Sequence, residues 1–100
     1  MIKGKTKSGI KFQIDERIKD DARFILFLTK INNDKIEIME RGSAVIGLLK
    51  LVFGSEEGVL QFMNAVAEKH EGVCDVRTMW SEMQDIIEAM NAKNSSSSQI

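Results

Sequence analysis

One cysteine, Cys74, and one histidine, His70, are all this hundred-residue chain offers of the side chains that carry most redox and metal chemistry. A single thiol cannot close an intramolecular disulfide, so nothing asks for an oxidising compartment. Two such residues are also too few for a structural zinc site. His70 and Cys74 stand four apart, which invites a thiol–imidazole pair, but Gly72 is expected to break the helix between them and no third group to orient the ring is visible. The seven glycines never fall into a phosphate-cradling spacing. Long apolar runs are missing too: the longest candidate, Ala44–Phe53, carries Lys50 and falls far short of membrane length. Lys3, Lys5 and Lys7 lie in an alternating segment rather than ahead of an apolar stretch, so no secretory leader is expected and the cytoplasm is the default. No catalytic residue, cofactor or metal site is therefore expected.

What is present describes one globular domain. A hydrophobic fraction of 43% with 29% charged residues suits a soluble fold, and a hundred residues can bury one core but not two. Net charge is only −1, yet it is unevenly spread: +4 over residues 1–14, balanced over 15–54 and −6 over 55–91. The basic segment and the acidic second half could attract each other within one molecule or between copies. Lys3, Lys5, Lys7 and Lys11 could also form a nucleic-acid patch, but they have no arginine or exposed aromatic among them and the chain has no basic excess. Lysines on the wet face and edge of a small sheet, protecting it from edge-to-edge pairing, are the plainer reading.

The pattern changes at Asp15. Before it, Ile10, Phe12 and Ile14 alternate with Lys11 and Gln13, and Lys7-Ser8-Gly9 reads as a tight connection, which together make a β-hairpin over 2–14. A lone hairpin is marginal in water, so its apolar face needs helices to cover it. Beyond Asp15, a plausible N-cap, Ile18, Ala22, Ile25 and Leu28 or Thr29 recur at helical spacing to about Lys30, where Asn32-Asn33-Asp34 signals a turn. Lys35–Glu40 is open between a third strand, with Ile36 and Ile38 alternating against charge, and the start of the next helix. Ser43 can cap a helix over 43–53, apolar almost all round and stopped by Gly54. Ser55 caps a third helix over about 56–70, with Glu56 and Glu57 in its first turn and Val59, Phe62, Met63, Val66, Ala67 and His70 as its inner stripe. A fourth runs over about 75–91, with Glu82, Asp85 and Glu88 opposite or beside its apolar stripe. The expected fold is α+β: an N-terminal hairpin packed on about four helices, one domain over 1–91, and a disordered Ser-rich tail over 92–100.

The opening Ile2-Lys3-Gly4-Lys5-Thr6-Lys7-Ser8-Gly9-Ile10-Lys11-Phe12-Gln13-Ile14-Asp15, then Asp20-Asp21 heading an apolar helix, then Leu48-Leu49-Lys50-Leu51-Val52-Phe53-Gly54 and the closing Ala92-Lys93-Asn94-Ser95-Ser96, together resemble the small tail assembly chaperones of long-tailed, siphovirus-type phages and prophages of Gram-positive bacteria. The resemblance covers the order of elements along almost the whole chain, while the link from Thr29 to Ser43 is longer and more charged than the pattern. It implies a non-catalytic role in the host cytoplasm. Such proteins coat the tape measure protein before tail tube subunits polymerise around it, are absent from the mature virion, and often occur as a short form and a frameshift-extended long form. The implied partners are the tape measure protein, copies of the chain itself and its extended form. The competing reading is a small adaptor or regulatory domain of phage or bacterial origin that works by protein contact; nucleic-acid binding through the hairpin is the third.

For a partner-holding role the fourth helix is the candidate surface: Val76, Met79, Trp80, Met83, Ile87 and Met90, with unbranched methionines that adapt to varied helical segments. A stripe at this spacing also closes the core of a small bundle, and Trp80, at its edge, suits either a core lid or an interface anchor. A partner face would tolerate Met83→Asp without loss of folding; a core would not.

The gene supplies the first prediction. Ala92-Lys93-Asn94 can be encoded as GCA-AAA-AAC or GCA-AAA-AAT, whose run of adenines lets two tRNAs slip back by one base and re-pair. Sequencing the gene should show one of these codon sets with an open −1 frame across its end; GCC-AAG-AAC, or a closed −1 frame, would remove the frameshifted form.

Overall fold

A computed structural model describes residues 1–98, with side chains as far as Ala92. The chain opens with the expected hairpin, β1 (Ile2–Lys5) antiparallel to β2 (Lys11–Ile14), with Ile2 opposite Ile14 and Gly4 opposite Phe12. Gly9 adopts φ +98°, the left-handed backbone the turn requires. Gly4 has its own reason. A Cβ there would lie 2.8 Å from the Phe12 ring, so only glycine lets that ring fold across the opposite strand. Ile2, Ile10, Phe12 and Ile14 are buried, and Lys3, Lys5 and Lys11 face water.

The single helix expected over 16–30 is two pieces. Asp15 caps a short 3-10 helix, Glu16–Asp20, by accepting from the Arg17 N–H, and Asp21 then caps α1 (Ala22–Ile31) by accepting from the Arg23 N–H. Asp21 is extended (φ −74°, ψ 130°), and this break rotates the inward face. Phe24 and Ile31 are buried instead of Ala22 and Ile25, while Ile25 and Leu26 are more than half exposed. The helix expected to start at Ser43 begins five residues earlier, as α2 (Ile38–Phe53). Asn33 organises the approach by accepting the Lys35 N–H on its side chain and the Ile36 N–H on its carbonyl. Residues 35–40 thus contain no third strand, and Gly42-Ser43 lies inside a helix. The longer helix is favoured because its added turn brings Arg41 Nε to the Ile31 carbonyl, 3.2 Å away, closing the end of α1. Farther along, the Phe27 ring of α1 lies on Gly47 of α2, where a Cβ would come within 2.7 Å of it.

Gly54 ends α2 at φ +77°, and the Ser55 hydroxyl accepts the Gly58 N–H to start α3 (Glu56–Lys69), both as expected. Val59, Phe62 and Val66 point inward, and the Phe53 and Phe62 rings stack at 4.9 Å. Asp75 accepts the Thr78 N–H and begins α4 (Val76–Ser98). The helix continues past the expected end near Asn91, so Lys93 and Asn94 fall within it rather than beyond it. Side chains from Lys93 onward, and residues 99 and 100 altogether, lie outside the described residues, and with them the expected disorder of the tail.

The core joins the inner face of the hairpin to the middle of α2, the stripe of α3 and one side of α4. Leu48, Leu49, Val66, Met83, Ile86 and Met90 are its fully enclosed centre. Because Met83 is sealed there, Met83→Ala should lower unfolding free energy by about 2–5 kcal/mol in a urea melt, from lost burial plus the cavity. Gln84→Ala, one position along and exposed, should move it by less than about 0.5 kcal/mol.

Candidate functional site

Two places bring together more than packing. The first is polar and lies where the hairpin turn meets α3 and α4. Backbone bonds from Gly9 N to Thr6 O and from Thr6 N to Ile10 O, each 2.9 Å, shape the turn, and the buried Thr6 hydroxyl accepts the Ile10 N–H. Ser8 is thereby aimed at α4. Its hydroxyl donates to the Glu82 carboxylate, 2.8 Å from both oxygens, and His70 Nε2 at the end of α3 lies 2.9 Å from Glu82 Oε2. One turn further along α4, Asp85 accepts the Lys7 N–H at 2.8 Å, with Lys7 Nζ 3.8 Å away.

Glu82 is only 5% exposed. Burial pushes its carboxyl upward, but the polar groups of Thr6, His70 and Ser8 outweigh that and hold it below the ordinary glutamate value. Sequence reasoning placed Glu82 on the polar side of α4, yet it is three residues after Met79 and four before Ile86, squarely on the buried stripe. An acid in that register was the available signal.

Ser8, Glu82 and His70 are the residue types of a nucleophilic triad, but they stand in a different order. In such a triad the imidazole sits between hydroxyl and carboxylate so that it can take the nucleophile's proton. Here the carboxylate sits between, and its role is to tie three elements together. Cys74 does not add a nucleophile, since burial and then the neighbouring Asp75 charge raise its thiol and keep it protonated. Among the described residues no three His, Cys, Asp or Glu side chains gather as a metal would need. No helix among them is long and apolar enough to cross a membrane.

The surface expected on α4 is largely the core itself. Met79, Met83 and Met90 are buried, Trp80 and Ile87 are half-buried against the core, and only Val76 is substantially exposed, at 41%. The last helix of so small a bundle has to close the interior, and that requirement takes the stripe. The four hairpin lysines separate as well: Lys3, Lys5 and Lys11 line the open face of the sheet with Gln13, whereas Lys7 is held by Asp85. Of the basic hairpin and the acidic second half, one pair of charges meets within the molecule, Lys7 with Asp85.

The second place is apolar, and sequence reasoning missed it. On the outside of α2, Lys50 lines two grooves, and Ile46 one of them. Toward α1 lies a groove of about 470 Å³ between Arg23 and Phe27 on one side and Gly47, Lys50, Leu51 and Gly54 on the other. Toward α3 lies one of about 200 Å³, lined by Val59, Leu60 and Met63 with Glu56 at its rim. Leu60 is 59% exposed and Leu26 53%.

No protein-family model, no curated protein and no solved structure matches the chain.

The buried carboxylate has a definite pH signature. Its contribution is full above the ordinary glutamate value of 4.5 and is lost as pH falls through the lower value it has when folded. Glu82→Gln should therefore lower stability by about 1–3 kcal/mol at pH 7 in urea melts. That gap between wild type and variant should narrow steadily below pH 4.5. Asp15 and Asp21, both held down to about 2 by Arg17 and Arg23 respectively, titrate alike in the two proteins and cancel from the comparison.

Proposed function

We propose that this chain is a non-catalytic phage tail assembly chaperone that holds the tape measure protein while the tail is built. The observation that carries the reading is where the chain places its reactive and its apolar side chains. Ser8 and His70, which could have supplied chemistry, are each bonded to the buried Glu82 carboxylate. Large apolar side chains stand in water instead: Ile25, Leu26, Ile38, Met39 and Leu60 are each more than half exposed. A small domain that leaves so many apolar groups uncovered is suited to binding another chain. The hairpin followed by four helices also keeps the order of elements on which the resemblance rests. A helical tape measure protein, apolar in places, needs a holder with such a surface rather than a reactive one. A small adaptor domain would use the same kind of surface; the partner it retains is what separates the two.

Co-expression with the tape measure protein encoded in the same gene cluster provides the test. The chain should co-purify with it and keep it soluble, whereas the tape measure protein expressed alone should aggregate. Recovery of the chain free of a tape measure protein that stays soluble unaided would end the chaperone reading.

A further inference from the structure

We propose that the outer face of α1, α2 and α3 is a docking surface for a single amphipathic helix that carries carboxylates beside its apolar stripe. The inference deepens the chaperone reading and rests on it for the partner's identity, while the chemistry of the helix follows from the face. Lys50 lines both grooves, and Ile46, 36% exposed, lines the one toward α3. Gly47 shapes the larger groove: without a side chain it lets the edge of the Phe27 ring come close to α2, and Phe27, Gly47 and Leu51 give the groove its apolar lining. From Arg23 to Lys30 the α1 wall is eight residues, roughly 10 Å of helix from end to end, which accommodates about two turns of a guest.

Charge decides what kind of helix fits. Arg23 and Lys50 line the larger groove and no carboxylate does; Lys30 lines its continuation opposite Glu40. Arg23 is held at 2.8 Å by Asp21 and Lys50 at 3.5 Å by Glu56, while Lys30 has no ion pair among the described residues. The Arg23–Asp21 pair is doubly bonded and stays closed, whereas the single Lys50–Glu56 contact lies in water and is weak, so an incoming carboxylate can replace it, and Lys30 is open to one. A guest with acidic flanks is attracted to this rim and one with basic flanks is repelled. Leu60, 59% exposed, is the most open apolar side chain lining the smaller groove.

The test uses the full chain, isotope-labelled for amide NMR, and two synthetic helical peptides. One has leucines at i, i+3, i+4 and i+7 flanked by glutamates; the other has lysines in place of the glutamates. The glutamate peptide should shift amides of residues 23–30, 43–50 and 59–63, and the lysine peptide should bind at least about tenfold more weakly. Lys30→Glu with Lys50→Glu should reverse that preference, and Leu60→Asp, at an exposed position, should abolish binding with the fold retained. Shifts centred on α4 or the hairpin, equal binding of both peptides, or binding of neither would overturn the proposal. So would peptide-independent shifts at this face that grow with protein concentration, because the face would then join two copies of the chain. The two readings fail separately. A tape measure protein held equally well by Leu60→Asp removes this face but keeps the chaperone role; glutamate-peptide binding here by a chain that holds no tape measure protein does the reverse.

Discussion

The buried carboxylate of Glu82 is the constraint on which the arrangement of the domain turns. A four-residue, two-stranded hairpin has too little cross-strand pairing to persist alone, and its apolar face is useful only if held in place over the helices. Glu82 holds it by its tightest point, the turn, through Ser8, and the same carboxylate reaches His70 at the end of α3. The hairpin turn, from the far end of the chain, and the consecutive helices α3 and α4 therefore meet on one side chain. An ionised carboxylate so enclosed is costly unless its lone pairs are occupied, so the turn must adopt the geometry that presents Ser8, with Thr6 packed behind it. Leu would fill the position with more apolar contact but would not specify where the turn goes.

How much of this could be read from the sequence depended on whether the signal was local. The hairpin was legible because alternation of Ile10, Phe12 and Ile14 and the placement of Gly9 are properties of a few neighbouring residues. Gly54-Ser55 was legible for the same reason, since a left-handed stop and a hydroxyl cap work through adjacent backbone. The beginning of α2 was not. Ile36, Ile38 and Met39 fit a strand or a helix equally well, and what selects the helix is Arg41 reaching the end of α1, a contact between elements. The face of α1 was misjudged in part because the extended backbone at Asp21 restarts the helical phase: Ile18 and Leu28 pack against the core as their spacing suggested, but Phe24 and Ile31 take the places expected for Ala22 and Ile25. Glu82 was obscured by residue type: an acid on a helix is ordinarily solvated, and only its register among Met79, Met83 and Ile86 marked it as interior.

Placing the methionines inside changes which part of the chain is free to work. Adaptable side chains are useful in a core too, where they fill the irregular space between a sheet and three helices, and α4 is consumed in that role. The surface left open is built from the shorter helices, whose apolar side chains exceed what the core can take. Such a surface invites nonspecific association, and its setting moderates the risk. The grooves are bordered by Arg23, Lys30, Lys50, Glu40 and Glu56. Charges at the border keep water and salt close to the apolar strip and favour guests of complementary sign. The tie at Glu82 lies among the hairpin turn, α3 and α4, and shares no lining residue with either groove. A helix seated on the α1–α3 face would therefore come and go without disturbing the contact that holds the hairpin, which is what the proposed role of a temporary holder requires.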